Sequence, residues 1–368
     1  MPGRGLALLS LDGGGARGLS SLYILKNLME QVAKAKGLEV IPKPCDFFDM
    51  IGGTSTGGLI AIMLGHLHMS INECISAYLG IAEPVFTPIR RLPISLGLTG
   101  NIENAIKDML KARGLDEEAL FYDSSRAIKC KVQVRRRRRS SVKALTHSPS
   151  SFVCAIQSEI KTPTILKNYE GEMQKDTDRL KYIKIWQAAR ATSAASGFFR
   201  PSRDLQLWNE ACDVFLGDQD RLDDHLDCLI SIGTGKPTLN ESGTNLQHVA
   251  KALVDISIET EQTACAFQQE HQLLEKDGRY CRLTVENGLQ DVYLEEYQKT
   301  DRIIAATKGY LINLDTIGKL TKCITAMKEH RVEDQQPSDA LIKCRAGKLV
   351  LRLRNIIPQF LRYTPYNV

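Results

Sequence analysis

The chain has 368 residues, 43% of them hydrophobic and 25% charged, enough for one large core plus an extension. The five arginines Arg135–Arg139 alone account for the net charge of +5, so the rest is near neutral and argues for no nucleic-acid partner. The 10 cysteines show no regular framework, which reads as reduced thiols of a cytoplasmic protein and argues against a disulfide scaffold.

The first element is an apolar strand, Leu6–Leu11. Asp12 interrupts it, so it does not read as a signal peptide. A glycine-rich turn follows, Asp12-Gly13-Gly14-Gly15-Ala16-Arg17-Gly18, and then a helix over Leu19–Lys36. A second strand is expected at Phe47–Ile51, ending in Gly53-Thr54-Ser55-Thr56-Gly57 and a helix from Gly58. Met50–Met69 is uncharged, yet its glycines at 52, 53, 57, 58 and 65 favour a buried strand-turn-helix over a membrane span. Further elements are a helix at Ile71–Leu79, strands at Phe152–Ile156 and Leu229–Ile232, and one long helix from Asn245 to about His271. Tyr280–Val285 reads as a strand and Arg302–Ile312 as a helix. Glu333–Pro337 suggests a linker. The tail Leu341–Ile357 mixes basic and apolar residues, as a membrane-surface helix, a frayed terminus or an altered reading frame would. Strands alternating with helices predict an α/β layered sheet.

The chemistry lies in the two glycine turns. G-x-S-x-G between a strand and a helix is a nucleophile elbow, with Ser55 at the turn and Gly53 and Gly57 keeping it uncrowded. The helix N-terminus after Ser55 favours negative charge. The first turn can offer several backbone N–H groups to an oxyanion. A rival reading takes Gly13, Gly15 and Gly18 as G-x-G-x-x-G of a dinucleotide site with Glu39 as the ribose acid. It sets Asp12 beside a pyrophosphate and leaves Ser55 unexplained. His225-Leu226-Asp227-Cys228 has no second ligand pair at zinc spacing, so no metal is expected.

With these motifs the chain resembles the patatin-like phospholipase family, its fungal-type members in particular. The resemblance is carried by Asp12–Gly18, Gly53–Gly57, Ile185–Ala195, Cys228–Pro237 and Gly288–Val292, in the family's order. It implies a three-layer α/β/α sandwich on a mostly parallel sheet, with a mainly helical C-terminal extension. The implied divisions are an α/β domain over 6–240, an extension over 241–327 and a tail over 328–368. It also implies a Ser-Asp dyad acting on lipid or acyl esters, with Ser55 as nucleophile and Gly13, Gly14 and Gly15 as oxyanion donors. Gly18, Gly53 and Gly57 complete the motifs. No cofactor is implied, contact with membranes would be peripheral, and no specific protein partner can be deduced.

Two departures stand out. The family's aspartate turn, Asp-Gly-Gly or Asp-Gly-Ala followed by Asn-Asn-Pro, belongs between Phe199 and Trp208 and is absent there. Asp204 is the nearest substitute, but Arg203-Asp204 reads as the start of the following helix. Gln133–Ser151 is an apparent insertion whose arginines are expected in a solvated loop. A retained intron at the insertion and lost coding sequence near Arg203 would account for both. His225, His248 and His271 follow Ser55 in the order of a triad, with no other feature to support one. The sequence therefore predicts either a weakened serine acyl hydrolase or an inert lipid-binding relative.

Overall fold

The computed structural model describes residues 5–86, 94–122, 150–157, 162–169, 181–194, 203–216, 220–235, 260–290, 292 and 296–327. All of them lie in the unit Met1–Arg331, and the second unit, Val332–Val368, falls outside the described residues.

Six strands form one sheet: β1 Leu6–Leu11, β2 Met50–Thr54, β3 Ser150–Gln157, β4 Thr162–Lys167, β5 Leu226–Ile232 and β6 Tyr280–Leu283. Their order is β4-β3-β2-β1-β5-β6, parallel throughout except for the antiparallel pair β3–β4. All six residues of β1 are buried, which is why Leu6–Leu11 reads as unbroken apolar sequence and not as alternation. The main helices are α1 Gly18–Lys36, α2 Thr56–Ala61, α3 Ile71–Phe86, α4 Ile94–Ala112, α5 Ile185–Ala194, α6 Arg203–Phe215, α7 Thr300–Leu311 and α8 Leu314–Met327.

Side-chain alternation assigns the layers. Leu6, Leu8, Met50, Leu229 and Tyr280 share a core with Leu207, Trp208, Ala211 and Phe215 of α6, so α6 covers that face. Each fully buried leucine there contributes about 1.5–3 kcal/mol. On the opposite face Cys281 of β6 meets Cys323 of α8, and α8 packs on α1. The result is the three-layer α/β/α arrangement.

Local signals set the helix ends. α1 stops at Gly37, which takes the left-handed conformation (φ 66°) that glycine adopts without strain. α3 begins with a capping box: Ser70 N–H donates to Glu73 Oε2 (2.7 Å), and Glu73 N–H donates to Ser70 Oγ (3.3 Å). The Ser70 backbone N–H and hydroxyl, opposed by slight burial and helped by Arg113, pull the Glu73 carboxyl from its ordinary 4.5 down to about 2. A carboxyl lowered by folding stabilises the protein fully above its unfolded value, and that stability is lost as pH falls from 4.5 through about 2. Glu73→Gln is therefore expected to cost up to about 1 kcal/mol near neutrality. In urea unfolding at stepped pH, its difference from wild type should shrink across that acid range.

Several expected boundaries are corrected. The second strand is Met50–Thr54, not Phe47–Ile51, because Phe47 closes a short helix, Pro44–Phe47, with proline at its start. Gly52 and Gly53 are strand residues, and the Phe152 ring fills the space beside Gly52. Ser150 and Ser151 belong to β3 and not to the insertion, since they pair with Met50 and Ile51 and are buried. The rest of the expected insertion, residues 133–149 with Arg135–Arg139, lies outside the described residues. The helix at Ile71 runs on to Phe86, with Pro84 inside it. Residues 260–270 are helical, whereas 245–259 lie outside the described residues. The strand at Tyr280 ends at Leu283, and the helix expected from Arg302 spans Thr300–Leu311. Strand β6 joins the sheet from beyond residue 240, so we propose that the described residues between 260 and 327 belong to the α/β unit and do not merely cover it.

Candidate active site

The site lies where β1, β2 and β5 end. Parallel strands place their C-terminal ends along one edge, and the order β2-β1-β5 reverses chain direction around β1, where α/β proteins leave a crevice. The turns after these strands are Asp12–Arg17, Ser55 and Gly233–Gly235.

Ser55 caps the N-terminus of α2 with φ 54° and ψ −127°, a left-handed conformation uncommon for a residue with a side chain. Such a backbone costs about 1–3 kcal/mol and persists only where its surroundings enforce it. Three contacts do so. Ser55 N–H donates to Thr192 Oγ1 of α5 (2.9 Å). A Cβ at Gly57 would lie 2.5 Å from Asp12 O and collide with Leu11 O. One at Gly53 would collide with Gly57 O. The elbow thus closes only with glycine on both sides of the serine.

The glycine-rich turn packs directly on this elbow. A Cβ at Gly13 would sit 2.7 Å from Ser55 Cβ and 3.5 Å from Ser55 Oγ. Thr234 Oγ1 donates to Gly13 O (3.1 Å), and Gly14 N–H donates to Thr56 Oγ1 (3.0 Å). Tyr78 OH donates to Gly15 O, and a Cβ at Gly18 would lie 2.5 Å from that hydroxyl oxygen. The Gly14 amide is therefore engaged, while those of Gly13 and Gly15 have no acceptor among the described residues. Arg17 is buried at the end of this turn, and burial lowers its pKa to about 10.

Asp12 and Asp204 both belong to a buried polar network on the α6 face. Asp12 Oδ2 pairs with Arg282 Nη2 (2.5 Å). The same Nη2 meets Glu261 Oε1 (2.5 Å), and Nη1 donates to Ser231 Oγ (2.8 Å). Asp204, at the start of α6, accepts a hydrogen bond from Tyr280 OH on Oδ2 (2.7 Å), while its buried Oδ1 has no partner among the described residues. Burial, then the charge of Asp204, raises the Tyr280 hydroxyl well above its ordinary value, so it remains a donor. The carboxylate of Asp204 is thus bonded to Tyr280, and none of the described residues hydrogen-bonds the Ser55 hydroxyl. Phe199–Ser202, where the aspartate turn would begin, lie outside the described residues.

The structure adds residues to those singled out from the sequence. Thr56 and Thr192 lie inside quoted motifs, but only the fold shows which amides they hold. Tyr78 and Arg282 reach the glycine turn from distant segments and carry no local signal. The packing also bears on the dinucleotide reading: Gly13 rests against Ser55, and Asp12 is committed to Arg282.

A serine elbow and a glycine-rich turn, side by side at the edge of a mostly parallel sheet in three layers, define an α/β protein with the layout of a serine hydrolase. A family model described as patatin-like phospholipase matches residues 9–206, and the chain belongs to that family. It is 31% identical over 249 residues to mouse (Mus musculus) calcium-independent phospholipase A2-gamma, covering 64% of this chain and 29% of that protein. It is 26% identical over 307 residues to phospholipase A I of Arabidopsis thaliana, covering 66% and 22%. With the cGAMP-activated phospholipase of Vibrio cholerae it shares 30% identity over 209 residues, covering 54% and 51%. The chain thus spans under a third of the length of the mouse relative.

Proposed function

We propose that the chain is a lipid acyl hydrolase of the phospholipase A type with Ser55 as its nucleophile. The observation that carries this reading is the strained Ser55 elbow packed against Gly13. In the proposed reaction Ser55 Oγ attacks the ester carbonyl and its proton passes to water, since none of the described residues stands at its hydroxyl as a base. The carbonyl oxygen becomes an oxyanion beside the amides of Gly13 and Gly15, which have no acceptor among the described residues. Collapse breaks the ester C–O bond, the alcohol leaves with a proton, and water then hydrolyses the acyl-serine. The products from a phospholipid are a fatty acid and a lysophospholipid.

The missing aspartate turn makes this a slowed enzyme. A second reading, an inert lipid-binding relative, is favoured by the lack of a base at Ser55 among the described residues. Incubating the full chain with phosphatidylcholine vesicles separates the two. Fatty acid and lysolipid formed by wild type and not by Ser55→Ala support the hydrolase. Vesicle binding without Ser55-dependent products supports the inert relative.

Contact with the lipid surface is peripheral in this proposal. Among the described residues no helix is long and apolar enough to cross a membrane. Thr284, just beyond β6, donates its N–H to Tyr310 OH (3.3 Å), which places the α7–α8 turn at the same sheet edge as Ser55. That turn exposes Ile312 (76%) and Leu314 (84%). Ile312→Asp with Leu314→Asp is expected to weaken vesicle co-sedimentation about tenfold or more, given the burial of two aliphatic side chains. Hydrolysis of a soluble ester should stay unchanged.

A further inference from the structure

We propose that Arg282 is a positioning residue for the glycine-rich turn, holding it in register with Ser55 through Asp12. The inference rests on the hydrolase reading of Ser55 and Gly13–Gly15. Arg282 stands on β6, two strands away from β1, and is 270 residues from Asp12 in sequence. It reaches Asp12 across β5, and Ser231 of β5 accepts from Nη1 on the way.

The turn it would hold has no strand ladder of its own. Asp12 N–H donates to Ile232 O (3.0 Å), after which the chain leaves the sheet. Gly13 follows directly, and its backbone packs on Ser55 Cβ. A shift of Asp12 therefore moves the Gly13 amide relative to Ser55 Oγ. The contacts named above at Gly13, Gly14 and Gly15 come from the neutral hydroxyls of Thr234, Thr56 and Tyr78. Arg282 adds an ionic contact with little exposure on either side: the Asp12 side chain is 4% and that of Arg282 10% exposed. Charged hydrogen bonds in such surroundings are stiffer than neutral ones.

The guanidinium shape matters. One Nη meets Asp12 and Glu261 while the other meets Ser231, a planar fork that a lysine ammonium cannot copy. Burial disfavours the cation, but Asp12, Glu261 and Asp204 outweigh it and hold Arg282 well above its ordinary pKa. Its charge is thus constant across the working pH range.

The test compares three full-length chains: wild type, Arg282→Lys, and Arg282→Met combined with Asp12→Asn and Glu261→Gln. The triple variant removes all three charges together, so it leaves no buried carboxylate at these positions without a counter-charge. Three readouts are taken: thermal melting, kinetics on p-nitrophenyl butyrate, and hydrogen exchange of the Asp12 and Gly14 amides. Both variants should melt cooperatively and show faster exchange at those two amides than wild type. Their kcat should fall about 10–100-fold, with KM changed less than about threefold, as misplaced oxyanion donors require. Wild-type kcat and exchange in a folded variant would overturn the proposal, as would a loss confined to KM. If wild type itself shows no Ser55-dependent hydrolysis, the hydrolase reading fails instead. Exchange then decides alone: unchanged Asp12 and Gly14 protection in Arg282→Lys overturns the holding role as well.

Discussion

Ser55→Ala is expected to reduce hydrolysis of a soluble ester to the uncatalysed background while leaving the fold intact. The small loss in mass at a half-buried position opens no cavity in the core. The substitution also keeps the Ser55 N–H that bonds to Thr192. What disappears is the hydroxyl oxygen proposed to form the acyl-enzyme. In serine hydrolases such a loss costs up to about 10⁶ in kcat. Paired activity and melting curves check this: activity lost with melting unchanged is the expected result. Ser55-independent hydrolysis would move the chemistry elsewhere.

The second large effect concerns the base. The chain is expected to turn over about 10²–10⁴-fold more slowly than a family member with its aspartate turn, the usual contribution of general-base help. Without that help the serine proton must pass to water. Asp204→Asn is the informative variant, because Asp204 is the nearest carboxylate to the missing turn in sequence. Its Oδ2 already accepts from Tyr280, and an asparagine amide oxygen can accept the same bond. The expected result is a rate within about threefold of wild type. A fall of the size expected for base removal, in a protein that still folds, would make Asp204 the base.

Much of the fold was legible in the sequence because strands buried on both faces leave continuous apolar runs. Leu6–Leu11 coincides with β1 for that reason. β2 was displaced toward Phe47 because Gly52 and Gly53 resemble a turn, and only the Phe152 ring beside Gly52 explains glycine inside a strand. β4 carried no clear signal: it is a short antiparallel strand containing Pro163. At the site, the two glycine turns were legible as local motifs, since close backbone approach restricts them to glycine. The partners that fix them were not. Thr192, Thr234, Tyr78 and Arg282 act across chain separations of 63 to 270 residues. Likewise, the bond between Asp204 and Tyr280 exists only because the fold brings the first turn of α6 to the start of β6, which no local pattern encodes.

The most direct measurement is the covalent one. The full chain is incubated at length with a fluorophosphonate, and the adduct is located by mass spectrometry of its peptides. A phosphonyl group on the peptide containing Ser55, formed slowly in wild type and absent from Ser55→Ala, is the expected result. An unmodified Ser55 in folded protein, or label confined to another residue, would contradict its role as nucleophile.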